Sequence, residues 1–394
     1  MGIVGLLDTT PQRSLQVISI NSHTSQVRFW NPLLTFSSGL AQEDPCHLLL
    51  NDSRYRLEYG IWNKYQLDRI RNCTVSERSI ILDDSHYAVD VASWKDNTTN
   101  INDTVLDLGD ITRIMGNLHI ISSRLSIKTL KAENLMQIGG ALNISGLPFL
   151  EEITMPVLQR IGENVPSGNP IHFDWSDLPS LQRVQFSEGG VGVFFRKNDT
   201  AYLDIQRGVY IKRTGLQRID FLKSDPNVPH DYYAPLDNLI IQDNPQLNEI
   251  DLPNLTTDLG FIDIRGNRPN STVTLDKLPS AYNITITKVT AINLPRLWKA
   301  HSFELSGTTL VNVVLDKLGE IMYTLDIRDN PVLNTLVLKN LTRIGSDQRD
   351  GRNPHAWPYK GDIAIENNPV LRHISLDALE EVGGSVPING PFTK

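Results

Sequence analysis

The chain has 394 residues, a formal net charge of −8, and apolar and charged contents of 40% and 21%. This length can bury a large core in one long domain or two. Lys and Arg form no basic block, which argues against a nucleic-acid-binding protein and predicts no nucleic-acid partner. No apolar run approaches the ~18 residues of a membrane helix.

An apolar pattern recurs every 23 to 24 residues, as L-x-I followed by L-x-x-I-x-L-x-x-L-x-x-I-G. Residues 361–383 and 323–345 match it position for position, and residues 140–162, 116–139 and 237–260 follow with small departures. A fixed period of this size is typical of stacked coils, each burying its apolar side chains against its neighbours.

Within one coil, Ile363 and Ile365 alternate with polar residues, as do Ile374 and Leu376. Period two predicts short strands with one face inward, and the three-residue steps between them predict tight corners. Glycines that close the units are expected at these corners. Asn-Pro pairs recur at one position of three copies, where stacked asparagines are expected to satisfy backbone groups. The glycines and the Asn-Pro pairs are Gly139, Gly162, Gly260, Gly345 and Gly383, and Asn244-Pro245, Asn330-Pro331 and Asn368-Pro369.

Four segments follow from this pattern. Residues 1–44 form an irregular start, interpreted as mispredicted or cleaved because MGIVGLLDTT lacks the basic region of a signal peptide. Residues 45–190 are expected to be a first β-solenoid lobe and residues 237–394 a second, with irregular coils and loops over 191–236.

Two features predict an extracellular, cell-surface or cell-wall protein. The chain has only two cysteines, Cys46 and Cys73, which are most simply one disulfide in a segment that caps the first coils. It also carries ten glycosylation sequons. Their asparagines are Asn51, Asn72, Asn97, Asn102, Asn143, Asn198, Asn254, Asn270, Asn283 and Asn340.

The stretch from Cys73 to Ile161 resembles a receptor L-domain, and in particular the fungal GPI-anchored cell-wall organisation and sporulation-specific family. The family pattern has two parts, L-xx-I-x-G-x-L-x-I and L-xx-I-xx-P-x-L-xx-I-G, and both are matched here. The matching residues are Ile111, Ile114, Gly116, Leu118 and Ile120, then Leu150, Ile153, Pro156, Leu158, Ile161 and Gly162.

This resemblance implies an all-β fold, a right-handed parallel β-helix-like solenoid of the receptor L-domain type with two lobes. It also implies a secreted, glycosylated protein, associated with membranes only through an anchor that this chain does not show. A leucine-rich-repeat horseshoe is the alternative fold, because LDIRDN at 325–330 fits its L-x-L-x-x-N pattern. The second strand-like pair in each good copy favours the multi-sheet solenoid.

Catalytic, cofactor and metal sites are not predicted. Glycosidic hydrolysis needs two carboxylates at a defined separation, and the acidic pairs Glu151-Glu152 and Glu380-Glu381 read as solvated corners. The nine histidines form no H-x-H or H-x-x-x-H pair, and no phosphate or dinucleotide fingerprint is present.

A binding surface is predicted at the insertion 346–360, which interrupts two good repeats. Its aromatic and arginine residues are of the types that dominate binding energy in interfaces. They are Arg349, Arg352, His355, Trp357 and Tyr359. The sequence thus predicts a non-enzymatic surface glycoprotein of cell-wall organisation, whose partners are wall polysaccharide or surface proteins. A receptor-like ligand-binding ectodomain and a polysaccharide-acting β-helix enzyme are the alternatives.

Overall fold

The structure is a computed structural model. It describes residues 68, 71–77, 79–83, 104–121, 125–162, 172–193, 195–196, 208–223, 233–234, 238–256, 258–345 and 361–391. These residues belong to one compact unit that spans Asp44–Lys394. The predicted all-β fold is confirmed, because the described residues form 32 strands in several parallel sheets. None of the described residues forms a helix long and apolar enough to cross a membrane.

A sheet of 13 strands, called here the main sheet, runs along the described part of the chain. Successive coils add strands to it in parallel and so stack as the repeat predicts. Its strands, numbered in chain order, are β2 (Ile80–Asp83), β5 (Leu118–Ile121), β8 (Leu142–Ser145), β11 (His172–Leu178), β15 (Gly208–Thr214), β19 (Asn238–Gln242), β21 (Leu259–Arg265), β23 (Ser280–Thr287), β25 (Lys299–Ser306), β27 (Glu320–Arg328), β29 (Arg343–Ile344), β30 (Asp362–Glu366) and β32 (Glu381–Val382).

Further parallel sheets take the remaining strands of the coils. One has six strands: β1 (Val75–Ser76), β4 (Arg113–Ile114), β7 (Gln137–Ile138), β10 (Arg160–Ile161), β13 (Val191–Val193) and β17 (Leu222–Lys223). A four-stranded sheet holds β3 (Val105–Asp107), β6 (Thr129–Lys131), β9 (Glu152–Thr154) and β12 (Arg183–Gln185). Another holds β16 (Arg218–Ile219), β20 (Glu249–Asp251), β22 (Ser271–Thr274) and β24 (Val289–Asn293). A three-stranded sheet holds β26 (Asn312–Val314), β28 (Thr335–Val337) and β31 (His373–Ser375). The antiparallel pair is β14 (Phe195–Arg196) with β18 (Tyr233–Ala234).

Two inward columns of the main sheet build the core. In the last good repeat they are Ile363 and Ile365, which pair in register with Leu325 and Ile327 of the preceding coil. All four side chains are fully buried. The alternation read from the sequence therefore marks the inward face, because successive residues of a strand point to opposite sides of the sheet.

Wider coils contain larger side chains. Phe173 and Trp175 occupy the two inward columns in β11, with ring centroids 4.7 Å apart. Phe186 and Phe221 pack against them with ring centroids 5.3 to 6.3 Å away. Three of these rings lie at the end of the predicted first lobe, and Phe221 lies in the segment 191–236 that the sequence marks as irregular.

A left-handed residue lies at the end of the main-sheet strand, or directly after it, in each of nine coils. These residues are Gly146, Asp177, Arg213, Asp243, Gly266, Lys288, Gly307, Asp329 and Asn367. The residue that follows each of them points inward and is buried: Leu147, Leu178, Thr214, Asn244, Asn267, Val289, Thr308, Asn330 and Asn368. We call the second set the turn column.

The expected asparagine stacking is present in the turn column. Asn330 Nδ2 donates to the carbonyl of Leu305 at 3.2 Å and to Asn368 Oδ1 at 3.1 Å. Its own Oδ1 accepts from the backbone N and Oγ1 of Thr308, at 2.9 and 2.7 Å. Thr214, Asn244 and Asn267 repeat the arrangement. Within each Asp-Asn-Pro turn the left-handed residue is the Asp before the asparagine, because the asparagine itself must face the core.

Candidate functional site

The predicted binding loop cannot be placed. Arg349, Arg352, His355, Trp357 and Tyr359 lie outside the described residues, and so does Cys46. Cys73 is buried beside the first strands. The binding loop and the disulfide therefore stay predictions.

The described sequon asparagines all lie on the outside of the coils. Asn72, Asn254, Asn270 and Asn340 are exposed, and Asn143 and Asn283 are half-buried on outward positions of the main sheet. The sequons at Asn51, Asn97, Asn102 and Asn198 lie outside the described residues. Accessible placement permits glycosylation, whose occupancy stays a prediction.

Four aromatic side chains from successive coils meet on the outer surface. They are Phe261, Tyr282, His301 and Tyr323, called here the aromatic strip. Ring centroids of Phe261 and Tyr282 are 5.8 Å apart, those of Tyr282 and His301 4.0 Å, and those of His301 and Tyr323 5.5 Å. The hydroxyls of Tyr282 and Tyr323 are 3.3 Å apart. Phe261 and Tyr282 remain 38% and 41% exposed.

The strip forms because β21, β23, β25 and β27 continue around a corner of the coil. In β23, Ala281 and Ile284 point inward, and the two residues between them, Tyr282 and Asn283, both face out. Phe261, directly before the inward Ile262, pairs in register with Asn283, so its ring lies beside Tyr282. His301 and Tyr323 stand directly before Ser302 and Thr324, the residues that continue the register of Asn283 into the next two strands. Parallel register then brings the rings together across coils.

One buried nitrogen sits inside the strip. His301 Nδ1 is shielded from solvent and has no hydrogen-bond partner within the described chain. Burial lowers the pKa of His301, and nearby Lys299 lowers this pKa further, while Glu320 opposes them. Lys299 Nζ is 2.9 Å from a Glu320 carboxylate oxygen. The imidazole is therefore held neutral, as a flat, weakly polar ring.

Polar side chains lie beside the strip on the outer face of the same strands. Asp263 accepts from Gln242 Nε2 at 2.7 Å and pairs with Arg265, and Asp326 pairs with Arg328. Thr285 Oγ1 donates to Glu304 Oε2 at 3.4 Å. Rings next to donors and acceptors can stack on the C–H face of a sugar while bonding its hydroxyls.

The acidic pairs are divided among separate ion pairs. Glu151 is 3.4 Å from Lys128 and Glu152 is 3.2 Å from Arg183, each in a different neighbouring coil. Glu381 pairs with Arg343 at 3.2 Å. No two of these carboxylates form an isolated pair poised across a substrate cleft. Among the described residues, no three His, Cys, Asp or Glu side chains cluster as a metal site would require.

Sequence reasoning missed the aromatic strip. Its members lie 19 to 22 positions apart, and this unequal spacing from coil to coil hides the alignment. Aligning the copies on Ile262, Ile284 and Phe303 would have revealed it, because an aromatic residue stands one or two positions before each of them.

Three curated proteins are similar to the chain. Sporulation-specific protein 22 of Saccharomyces cerevisiae is 25% identical over 296 residues, which is 75% of this chain and 54% of that protein. Protein ecm33 of Aspergillus fumigatus is 24% identical over 66% of this chain and 48% of its own length. Cell wall protein ecm33 of Schizosaccharomyces pombe is 22% identical over 71% and 55%. The chain spans about half the length of the curated relatives it matches.

These similarities confirm the predicted resemblance to fungal cell-wall organisation and sporulation-specific proteins, and they agree with the predicted cell-surface or cell-wall location. No family model matches the chain, and no solved structure matches it. The receptor L-domain type and the right-handed winding stay predictions.

Proposed function

We propose that the chain is a non-enzymatic, secreted glycoprotein of the fungal cell wall that binds neutral wall polysaccharide along the aromatic strip. Its similarity to a cell wall protein supports the location, and its outward sequons support a glycosylated surface. The partner is assigned from the chemistry of the strip.

One observation carries the proposal: four successive coils each present a ring at the same outward corner. Neighbouring parallel strands are ~4.8 Å apart, so the rings form a ladder along the solenoid axis. A linear polymer lying along this axis meets a ring at every coil. Each sugar gives up little hydration there, because its C–H face covers a ring that is already poorly hydrated.

Charge favours a neutral ligand. The chain carries a net charge of −8, and the cations nearest the strip are already paired, Lys299 with Glu320 and Arg328 with Asp326. An acidic polymer would meet repulsion that these paired cations do not offset. An uncharged polymer such as glucan, chitin or mannan meets no such repulsion, and its hydroxyls can hydrogen-bond to the polar side chains beside the strip.

Sedimentation with insoluble β-glucan, chitin and mannan tests this proposal. Tyr282→Ala removes the central ring and is expected to weaken retention on the preferred polymer about tenfold, which corresponds to ~1.4 kcal/mol. Phe149→Ala is the matched control, since Phe149 is 53% exposed in a turn away from the strip, and it should bind as wild type does. Equal retention of all three proteins contradicts the proposal.

The non-enzymatic part rests on the acidic pairs, since Glu151, Glu152 and Glu381 are each engaged in an ion pair with a neighbouring coil. Incubation with the same polymers is expected to release no reducing ends. Measurable turnover that Glu151→Gln or Glu152→Gln abolishes would overturn it.

A further inference from the structure

We propose that the N-linked glycan of Asn283 packs its first N-acetylglucosamine on Phe261 and Tyr282, and thereby competes with polysaccharide for the aromatic strip. The packing depends on the described residues alone. The competition rests on the function proposed above.

Register places this sequon at the strip. Asn283 pairs directly with Phe261 of β21 on one side and with Ser302 of β25 on the other. Tyr282 is its neighbour in sequence, at the same corner. Residues directly opposite each other in adjacent strands hold their side chains within contact distance, so a sugar on Asn283 Nδ2 starts beside the Phe261 ring.

The Asn283 side chain is free to carry a sugar. Its carboxamide makes no hydrogen bond within the described part of the chain, and Thr285, which completes the sequon, also faces outward. The exposed rings of Phe261 and Tyr282, with centroids 5.8 Å apart and planes tilted by 52°, offer an angled apolar seat for one sugar.

Two other described sequons differ in these respects. Asn340 Nδ2 donates to the carbonyl of Asp316, and Asn254 Oδ1 accepts from Lys277 Nζ at 3.3 Å. Both lie in turns, away from the strip. Asn340 therefore serves as the matched control for Asn283.

Glycan stacking predicts a measurable stabilisation. In protein from a glycosylating fungal host, with occupancy of Asn283 verified by mass spectrometry of its peptide, Asn283→Gln is expected to lower Tm by about 1–3 °C. Asn340→Gln should leave Tm unchanged, and Thr285→Ser, which keeps the sequon, should behave as wild type. Trimming with an endoglycosidase that leaves one N-acetylglucosamine should retain the wild-type Tm, because only the first sugar is seated.

A double-mutant cycle isolates the contact. In a Phe261→Ala background, which removes one of the two rings of the seat, Asn283→Gln should produce a clearly smaller Tm shift than in the wild type. An unoccupied Asn283, or a Tm shift that persists undiminished without the Phe261 ring, would overturn the packing.

Competition is read separately by polymer sedimentation. Asn283→Gln should bind the preferred polysaccharide several-fold more tightly than the glycosylated protein, with Asn340→Gln unchanged. Equal binding of the Asn283→Gln and glycosylated proteins would overturn the competition. Absence of polymer binding in every form would overturn the proposed function together with the competition, while the Tm cycle would still decide the packing.

Discussion

Two regions of the solenoid turn the same corner with different residues. In the coils around 111–162 the corner is made by glycines, and in the coils from β21 to β27 it carries the aromatic strip. A Cβ on Gly139 would lie 2.3 Å from the carbonyl oxygen of Met115, and one on Gly116 would lie 2.6 Å from the backbone nitrogen of Ser79. The early corners are thus closed against the neighbouring coil, and the later ones are open enough to display rings.

The turn column divides the molecule in a similar way. Early coils fill it with Leu147 and Leu178, and later coils fill it with hydrogen-bonded Thr and Asn, interrupted once at Val289. One backbone path is therefore stabilised by apolar contact in one region and by amide ladders in the other. The residue type in the turn column can therefore change along a solenoid while the two inward columns of the main sheet stay apolar.

Asn330→Leu puts an apolar side chain of the kind found in the early coils into the turn column of a late coil. Leucine has a similar size but would leave the Leu305 carbonyl, the Thr308 backbone N–H and Asn368 Oδ1 short of partners, so we expect a loss of about 2–4 kcal/mol in the free energy of unfolding. Urea denaturation measures it. Asn312→Ala, at an exposed position of β26, is the control and should cost less than about 0.5 kcal/mol. A stable Asn330→Leu protein would show that the two chemistries are interchangeable.

Gly139→Ala tests the glycine corner of the early coils. The added methyl group meets rigid backbone at Met115, so the coils must separate, and we expect a loss of about 1–3 kcal/mol. Gly319→Ala is matched to it, because its nearest neighbours would be 3.7 Å away. That variant should be neutral or slightly stabilising. Equal urea midpoints for the two variants would contradict the closed corner.

The smallest expected effect concerns pH. The pKa of His301 is lowered in the folded protein, so the unfolded chain binds the proton more readily, and stability falls as the pH drops below the ordinary histidine value of 6.5. His301→Phe keeps a ring without a titrating group. Thermal scans from pH 8 to pH 4 should show wild type losing Tm relative to this variant below pH 6.5, with parallel curves above it. A constant difference across the range would remove His301 from the acid response.

Much of the fold could be predicted because the repeat is periodic. The alternation at Ile363 and Ile365 predicted β30, and the Asn-Pro pairs predicted the amide ladder, since each depends on residues close together in the sequence. The aromatic strip depends on register between coils of unequal length, which local spacing does not supply. Local spacing points instead to the insertion 346–360, where His355, Trp357 and Tyr359 lie close together in the sequence.

The pairing of β27 with β30 has a practical consequence. These strands remain in register although 38 residues separate Asp329 from its hydrogen-bonded partner Asn367, against 22 between Thr308 and Asn330. A coil can thus be lengthened at this corner without dislodging its neighbours. The position after Gly345 is accordingly a natural place to insert a reporter epitope, and cells that display the epitope there would reveal whether this side of the coils faces the medium.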